Sequence, residues 1–175
     1  MVRRGAKELG LALEWQYDFV LPGTQLRVRK DTVLLDVGGA LGPGVLDHHG
    51  TQTPNTSTAQ LVSRYPDYVY EHLLGPWLRR QDDGQDLQGR CWSPVITTHK
   101  APDLDACSAA LLVRKLLEDG ELPRWASSLE QFVTEVDLGR WNPSPDGEQS
   151  PIVWRWPSTF SMRKRWATDP QMCSV

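Results

Sequence analysis

The stretch PVITTHKAPDLDACSAALLVRKLLEDG, residues 94–120, changes character in its middle. Residues 94–99 form a short apolar run with β-branched side chains, the pattern of a strand buried on both faces. Beyond HKAPDLD, apolar residues at 109, 112, 113, 116 and 117 share one helical face, and Gly120 suits the left-handed position that closes a helix. The same order occurs earlier in the chain. TVLLDVGG (32–39) is an apolar run that stops at glycines, and STAQLVSRYPDYVYEHLLG (57–75) reads as a helix interrupted near Pro66. Ser57 and Gln60 there have capping-box spacing, and Gly75 is placed to end the segment. Strand, loop and helix repeated twice predict an α/β fold, a parallel β-sheet with helices on both faces.

Working outward, residues 79–92 are polar and glycine-punctuated, as in an exposed connection. A further helix is expected over about 124–136, with Leu129, Phe132, Val133 and Val136 inward, leading into Asp137. PIVWRW (151–156) has the pattern of an edge strand. The chain thus divides into an N-terminal segment (1–31), a core (32–140) and a tail (141–175) that supplies an edge strand or a lid. With 175 residues and 39% hydrophobic content, one core is the natural organisation. No run approaches the roughly 20 apolar residues of a membrane span, and the N-terminus has no cleavage pattern, so a cytoplasmic protein with no membrane partner is expected. Cys91, Cys107 and Cys173 are odd in number and lack CxxC spacing, which argues against a disulfide framework and a thiolate zinc site. The net charge of −3 gives no global attraction for nucleic acid, and RVRK (27–30), LRR (78–80) and RKR (163–165) read as solvated surface charge.

In parallel sheets the loops at the carboxyl ends of the strands share one edge, where ligands bind. Two polar clusters fall there: Asp36 with Asp47, His48 and His49, and His99 with Asp103 and Asp105. Three of the four histidines therefore lie at one rim. Aspartates crowded together repel one another unless cations are present, so the set predicts bound metal. Imidazole and carboxylate without thiolate suit Mn²⁺ first, with Zn²⁺, Fe²⁺, Co²⁺ and Mg²⁺ as weaker candidates. Two such ions can hold a bridging hydroxide as nucleophile and clamp a phosphoryl group, which points to metal-assisted hydrolysis of a phosphoester or phosphoanhydride. His72 sits on a helical turn away from this rim. Gly38, Gly39, Gly42 and Gly44 lie outside any GK[ST] or GxGxxG pattern, so they give turning room rather than a phosphate cradle.

LDHHG (46–50) and HKAPDLDA (99–106), the latter matching H-x-x-P-D-x-D-A, resemble the two hallmarks of the DHH phosphoesterase superfamily. DVGG ahead of the first and STAQLV behind it are similar to the RecJ-like, oligoribonuclease-like and Myg-type nucleases. The resemblance covers about residues 32–62 and 94–139. It implies a Rossmann-like domain and two divalent ions. His99 and Asp103 would hold one ion, Asp105 and His48 the other, Asp36 would bridge them, and Asp137 would complete the second site. His49 would face the scissile phosphate as donor or general acid, and Asp47 would fix the histidines from behind. Ser57 and Thr58 at a helix start would bind a phosphate oxygen, and Lys100 would offer charge at the mouth. In the family the longer motif ordinarily comes first. Here DHH comes first, as in a circularly permuted chain. A family member also carries a domain that closes over the metals, so here the tail, residues 1–31, a homodimer partner or an additional domain is expected to supply the lid.

Hydrolysis of phosphodiester bonds in short RNA or DNA is the function this implies. A small phosphorylated substrate, such as a cyclic dinucleotide or pyrophosphate, is the alternative, and a non-catalytic nucleotide-binding or scaffold module is a third. Among the eight tryptophans, Trp141, Trp154 and Trp156 are best placed to stack on bases.

Overall fold

The structure, a computed structural model, describes residues 3–21, 24, 26–50 and 55–140. The expected edge strand at 151–156 and Trp141, Trp154 and Trp156 lie outside the described residues. The fold is α/β. Strands β1 (Ala12–Leu13), β2 (Gln16–Val20), β3 (Thr32–Leu35), β4 (Leu41–Gly42) and β5 (Val45–Leu46) precede helices α1 (Thr58–Arg64), α2 (Pro66–Leu73) and α3 (Gly75–Asp82). β6 (Cys91–Trp92), β7 (Val95–His99), α4 (Leu104–Asp119) and α5 (Ala126–Asp137) follow. The main sheet has the order β2-β7-β3-β5-β4, parallel except for the β4–β5 hairpin, and β1 pairs with β6 in a separate parallel ladder.

Alternation along the strands sorts side chains between two faces. Val33 and Leu35 of β3, Ile96 of β7 and Leu46 of β5 share a face through their register. They join the main core with Leu61, Leu73, Leu112, Val113, Leu116 and Val133 from the helices. Burying each such side chain stabilises the fold by about 1.5–3 kcal/mol. Leu34 and Val45 point the other way, into a smaller cluster with Val37, Val20 and Leu26. Helices on both faces were expected. Every described helix instead contributes to the main cluster, and on the opposite face Leu26 from the β2–β3 connection packs where a helix was anticipated.

The segment before residue 32 is not separate from the core. β2 pairs along its length with β7, and Ala6, Leu9 and Leu11 are buried. The amides of Ala6 and Lys7 donate to the carbonyls of Leu117 and Glu118 (2.8 and 3.2 Å), satisfying acceptors that the end of α4 leaves open. Gly120 closes α4 at φ 80°, and a Cβ there would lie 2.6 Å from the Arg3 carbonyl, so glycine is required both for the turn and for this docking.

Pro66 does break the first helical stretch, separating α1 from α2. Gly75 was expected to end the stretch, but it begins α3, because Pro76 behind it favours a helix's first positions. Residues 79–82 therefore belong to α3 rather than to the exposed connection.

Candidate metal centre

β7, β3 and β5 are adjacent and parallel, so His99, Asp36 and Asp47 emerge side by side at one sheet edge. Asp36, the first residue beyond β3, has φ 61°. This left-handed conformation costs an L-residue free energy, Asp and Asn least, and such outliers cluster at functional sites. The turn directs a buried carboxylate to two imidazoles at once. Oδ1 lies 3.2 Å from His48 Nε2, and Oδ2 lies 3.2 Å from His99 Nε2. The Thr58 hydroxyl donates to Oδ1 at 3.2 Å.

His48 is the hub of a second group. Its Nε2 is 3.7 Å from Asp105 Oδ2 and 3.6 Å from Asp137 Oδ2 as well. Asp137 is the last residue of α5, and Asp105 lies in the first turn of α4. Asp105 is buried, and its two oxygens accept from the amides of Thr58 (2.7 Å) and Ala59 (2.8 Å). It therefore caps α1 across the core and still has lone pairs free for another partner. Asp103 caps its own helix, accepting from the Ala106 amide at 3.0 Å, while Oδ2 stands 3.8 Å from His99 Nε2.

Asp47, expected behind both histidines, contacts one of them, His49. Buried, it accepts from the Gly39 amide (2.7 Å), from the His49 amide (3.0 Å) and from His49 Nδ1 (2.8 Å). A carboxylate only accepts, so Nδ1 carries the proton in this pairing. The His49 side chain is 62% exposed, against 13% for His48, so the neighbours divide between outside and inside. Gly38, at φ 107°, makes the turn that brings Gly39 to Asp47, and a Cβ there would press on Val45 at 3.1 Å.

Charge and burial oppose each other throughout the cluster. The hydrogen bond to Asp36 raises the His48 pKa to about 9 against the cost of burial, with Asp137 and Asp105 adding attraction. Burial pushes Asp36 up, but its bond to His48 and the neighbouring imidazoles outweigh this and hold it below the ordinary carboxylate range. Asp105 rises to about 6, chiefly through burial, and Asp137 also rises through burial. Two groups of ligand atoms, Asp36–His99–Asp103 and His48–Asp105–Asp137, each lie within 4.8 Å and could hold a metal ion, as could Asp36–His48–His49. The donor set fits a divalent cation: a cation of fixed geometry would answer carboxylates that otherwise depend on an imidazolium.

All six residues expected as ligands thus come together. Ser57 and Thr58, expected to bind a phosphate oxygen, are engaged within the protein. Both are fully buried; Ser57 caps α1 through the Gln60 amide (3.2 Å) and bonds Thr134 Oγ1 (2.7 Å), while Thr58 serves Asp36 and Asp105. Lys100 is exposed next to His99. His72 lies 3.0 Å from the Thr32 carbonyl, tying α2 to β3 away from the centre. Thr134 was not anticipated, although its place one helical turn before Asp137 was the available signal. No described helix is long and apolar enough to cross a membrane. Comparison of the chain with protein-family models, curated proteins and solved structures finds no match, so the geometry of the centre carries the functional reading by itself.

Proposed function

We propose that this chain is a metal-dependent phosphoesterase that hydrolyses phosphodiester bonds in short RNA or DNA. The observation that carries the reading is the carboxylate of Asp36, whose two oxygens address two different histidines, each backed by its own aspartates. That is the disposition of a ligand shared between two ions. His99 and Asp103 would hold one, and His48, Asp105 and Asp137 the other, with Mn²⁺ the first choice for a mixed imidazole and carboxylate set. Bound there, divalent cations would lower the pKa of a water and neutralise phosphoryl oxygens.

The chain's own groups supply the rest. His49, whose Nδ1 pairs with the Asp47 carboxylate and whose side chain is largely exposed, would donate to a phosphoryl or leaving oxygen. Lys100 adds positive charge beside His99. Exposure of His49 and Asp103 favours a polymer phosphate over an enclosed small molecule.

The test incubates the purified chain with Mn²⁺ and end-labelled oligonucleotides, cyclic dinucleotides or pyrophosphate, alongside Asp36→Asn, which tolerates the left-handed turn. Shortening of oligonucleotides by the wild type alone is expected. Turnover of the small phosphates only would reassign the substrate, and no turnover together with no bound Mn²⁺ would overturn the reading.

A further inference from the structure

One buried residue touches carboxylates of both ligand groups. The Thr58 hydroxyl donates to Asp36 Oδ1 at 3.2 Å, and the Thr58 amide donates to Asp105 Oδ2 at 2.7 Å. We propose that Thr58 is a positioning residue that holds Asp36 in a bridging orientation, one oxygen toward each ion position, and prevents it from chelating a single ion with both. The proposal rests on the two-ion reading above.

The terminal torsion of an aspartate is soft, so nothing intrinsic fixes which way its carboxylate plane faces. The orientation must come from neighbours. His48 and His99 approach the two oxygens. A ligating imidazole points that same nitrogen lone pair at the ion and ceases to donate to the carboxylate. His49 Nδ1 is 3.4 Å from Asp36 Oδ1 but is committed to Asp47 at 2.8 Å. Among the described contacts, the Thr58 hydroxyl is then the donor to Asp36 that persists when ions bind. It is also a rigid one. Thr58 is β-branched and fully buried, and its backbone is anchored by Asp105 at the start of α1. Its neighbour Ser57 ties the same helix end to Thr134 on α5, the helix that ends in Asp137.

Rotation of the Asp36 carboxylate into a chelating pose would break the Thr58 hydrogen bond inside the core, where a lost bond is costly. The hydroxyl therefore selects between two coordination modes with the same ligand list. Removing it leaves every ligand present but releases the orientation, and the second ion is the one that loses a shared ligand.

The experiment compares the wild type with Thr58→Val, Thr58→Ala and Thr58→Ser, each loaded with Mn²⁺. Stoichiometry is followed by calorimetry, spin coupling by electron paramagnetic resonance, and folding by the thermal midpoint of the metal-free forms. The wild type and Thr58→Ser should take up two ions with an exchange-coupled spectrum. Thr58→Val and Thr58→Ala, the latter with no added methyl against the carboxylate, should bind the second ion about 10- to 100-fold more weakly and lose the coupling. A coupled pair in either hydroxyl-free variant at wild-type affinity, or loss of coupling in Thr58→Ser, would overturn the positioning role while leaving the phosphoesterase reading intact. A wild type that binds no ion pair would remove the two-ion reading and this proposal together.

Discussion

His48 and His49 are adjacent in the chain and opposite in environment, and the buried one ties the stability of the fold to pH. The His48 pKa is raised from 6.5 to about 9 in the folded metal-free chain, so its contribution to stability is complete below the ordinary value and is lost as pH rises through 9. Asp105, raised from 3.8 to about 6, contributes below its ordinary value and loses that contribution as pH rises through 6. Both effects have the same sign. Asp105 acts between pH 3.8 and 6 and His48 above it, so the thermal midpoint of the metal-free protein should fall from pH 6.5 to pH 9 through His48, while the stabilisation produced by Mn²⁺ should grow over the same range, because the ion competes with a proton for His48. A metal-free midpoint that rises with pH would show that the His48–Asp36 pairing is absent. His49→Gln should lower kcat by about 10²–10⁴-fold with Mn²⁺ affinity unchanged, as measured by single-turnover cleavage and calorimetry. The residues that gather at the centre were legible because their types and spacing are distinctive. The burial of Ser57 and Thr58 was not legible, because a hydroxyl at a helix start is equally a cap or an anion binder and the partner Asp105 lies on another helix, far along the chain.

At the scale of elements, the strand–loop–helix units at 32–64 and 94–120 were legible from periodicity, and the α4 face matches it: Ala109, Leu112, Val113, Leu116 and Leu117 are all buried. Leu112, fully buried under the sheet, tests that packing: Leu112→Ala should cost about 2–5 kcal/mol in denaturant unfolding, with a wild-type number of bound ions once folded. β2 escaped notice because QYDFV is an edge strand with mixed exposure, carrying neither a continuous apolar run nor a clean alternation. The small ladder between β1 and β6 escaped for a different reason. Two residues on each side are too few to leave a period, and their pairing is set by docking of the N-terminal segment on α4. Gly75 and Pro76 show a further limit, since a glycine marks an end or a beginning with equal ease until the next residue is considered.

For the molecule as a whole, the spatial order β7-β3-β5 matters more than the chain order β3-β5-β7. Asp36 is on the middle strand and can reach both neighbours, whichever motif is synthesised first. The chain order of LDHHG and HKAPDLDA is therefore compatible with bringing all six residues to one sheet edge. Ions that bind only the folded chain stabilise it by mass action, by about 2.7 kcal/mol at a hundredfold excess over Kd. Thermal shifts that increase with Mn²⁺ concentration, and that are absent in Asp36→Asn, are expected.

The middle position of β3 also bears on how the chain reaches its native state. β5 is close by in sequence and can pair early, whereas β7 arrives only after three helices and a long connection have been accommodated. Asp36 meets His48 at the first of these events and His99 only at the second. The two groups Asp36–His99–Asp103 and His48–Asp105–Asp137 are therefore complete only once β7, α4 and α5 have joined the sheet. A metal ion that requires these groups is expected to act chiefly after that step, slowing unfolding more than it speeds folding, as stopped-flow unfolding with and without Mn²⁺ would show.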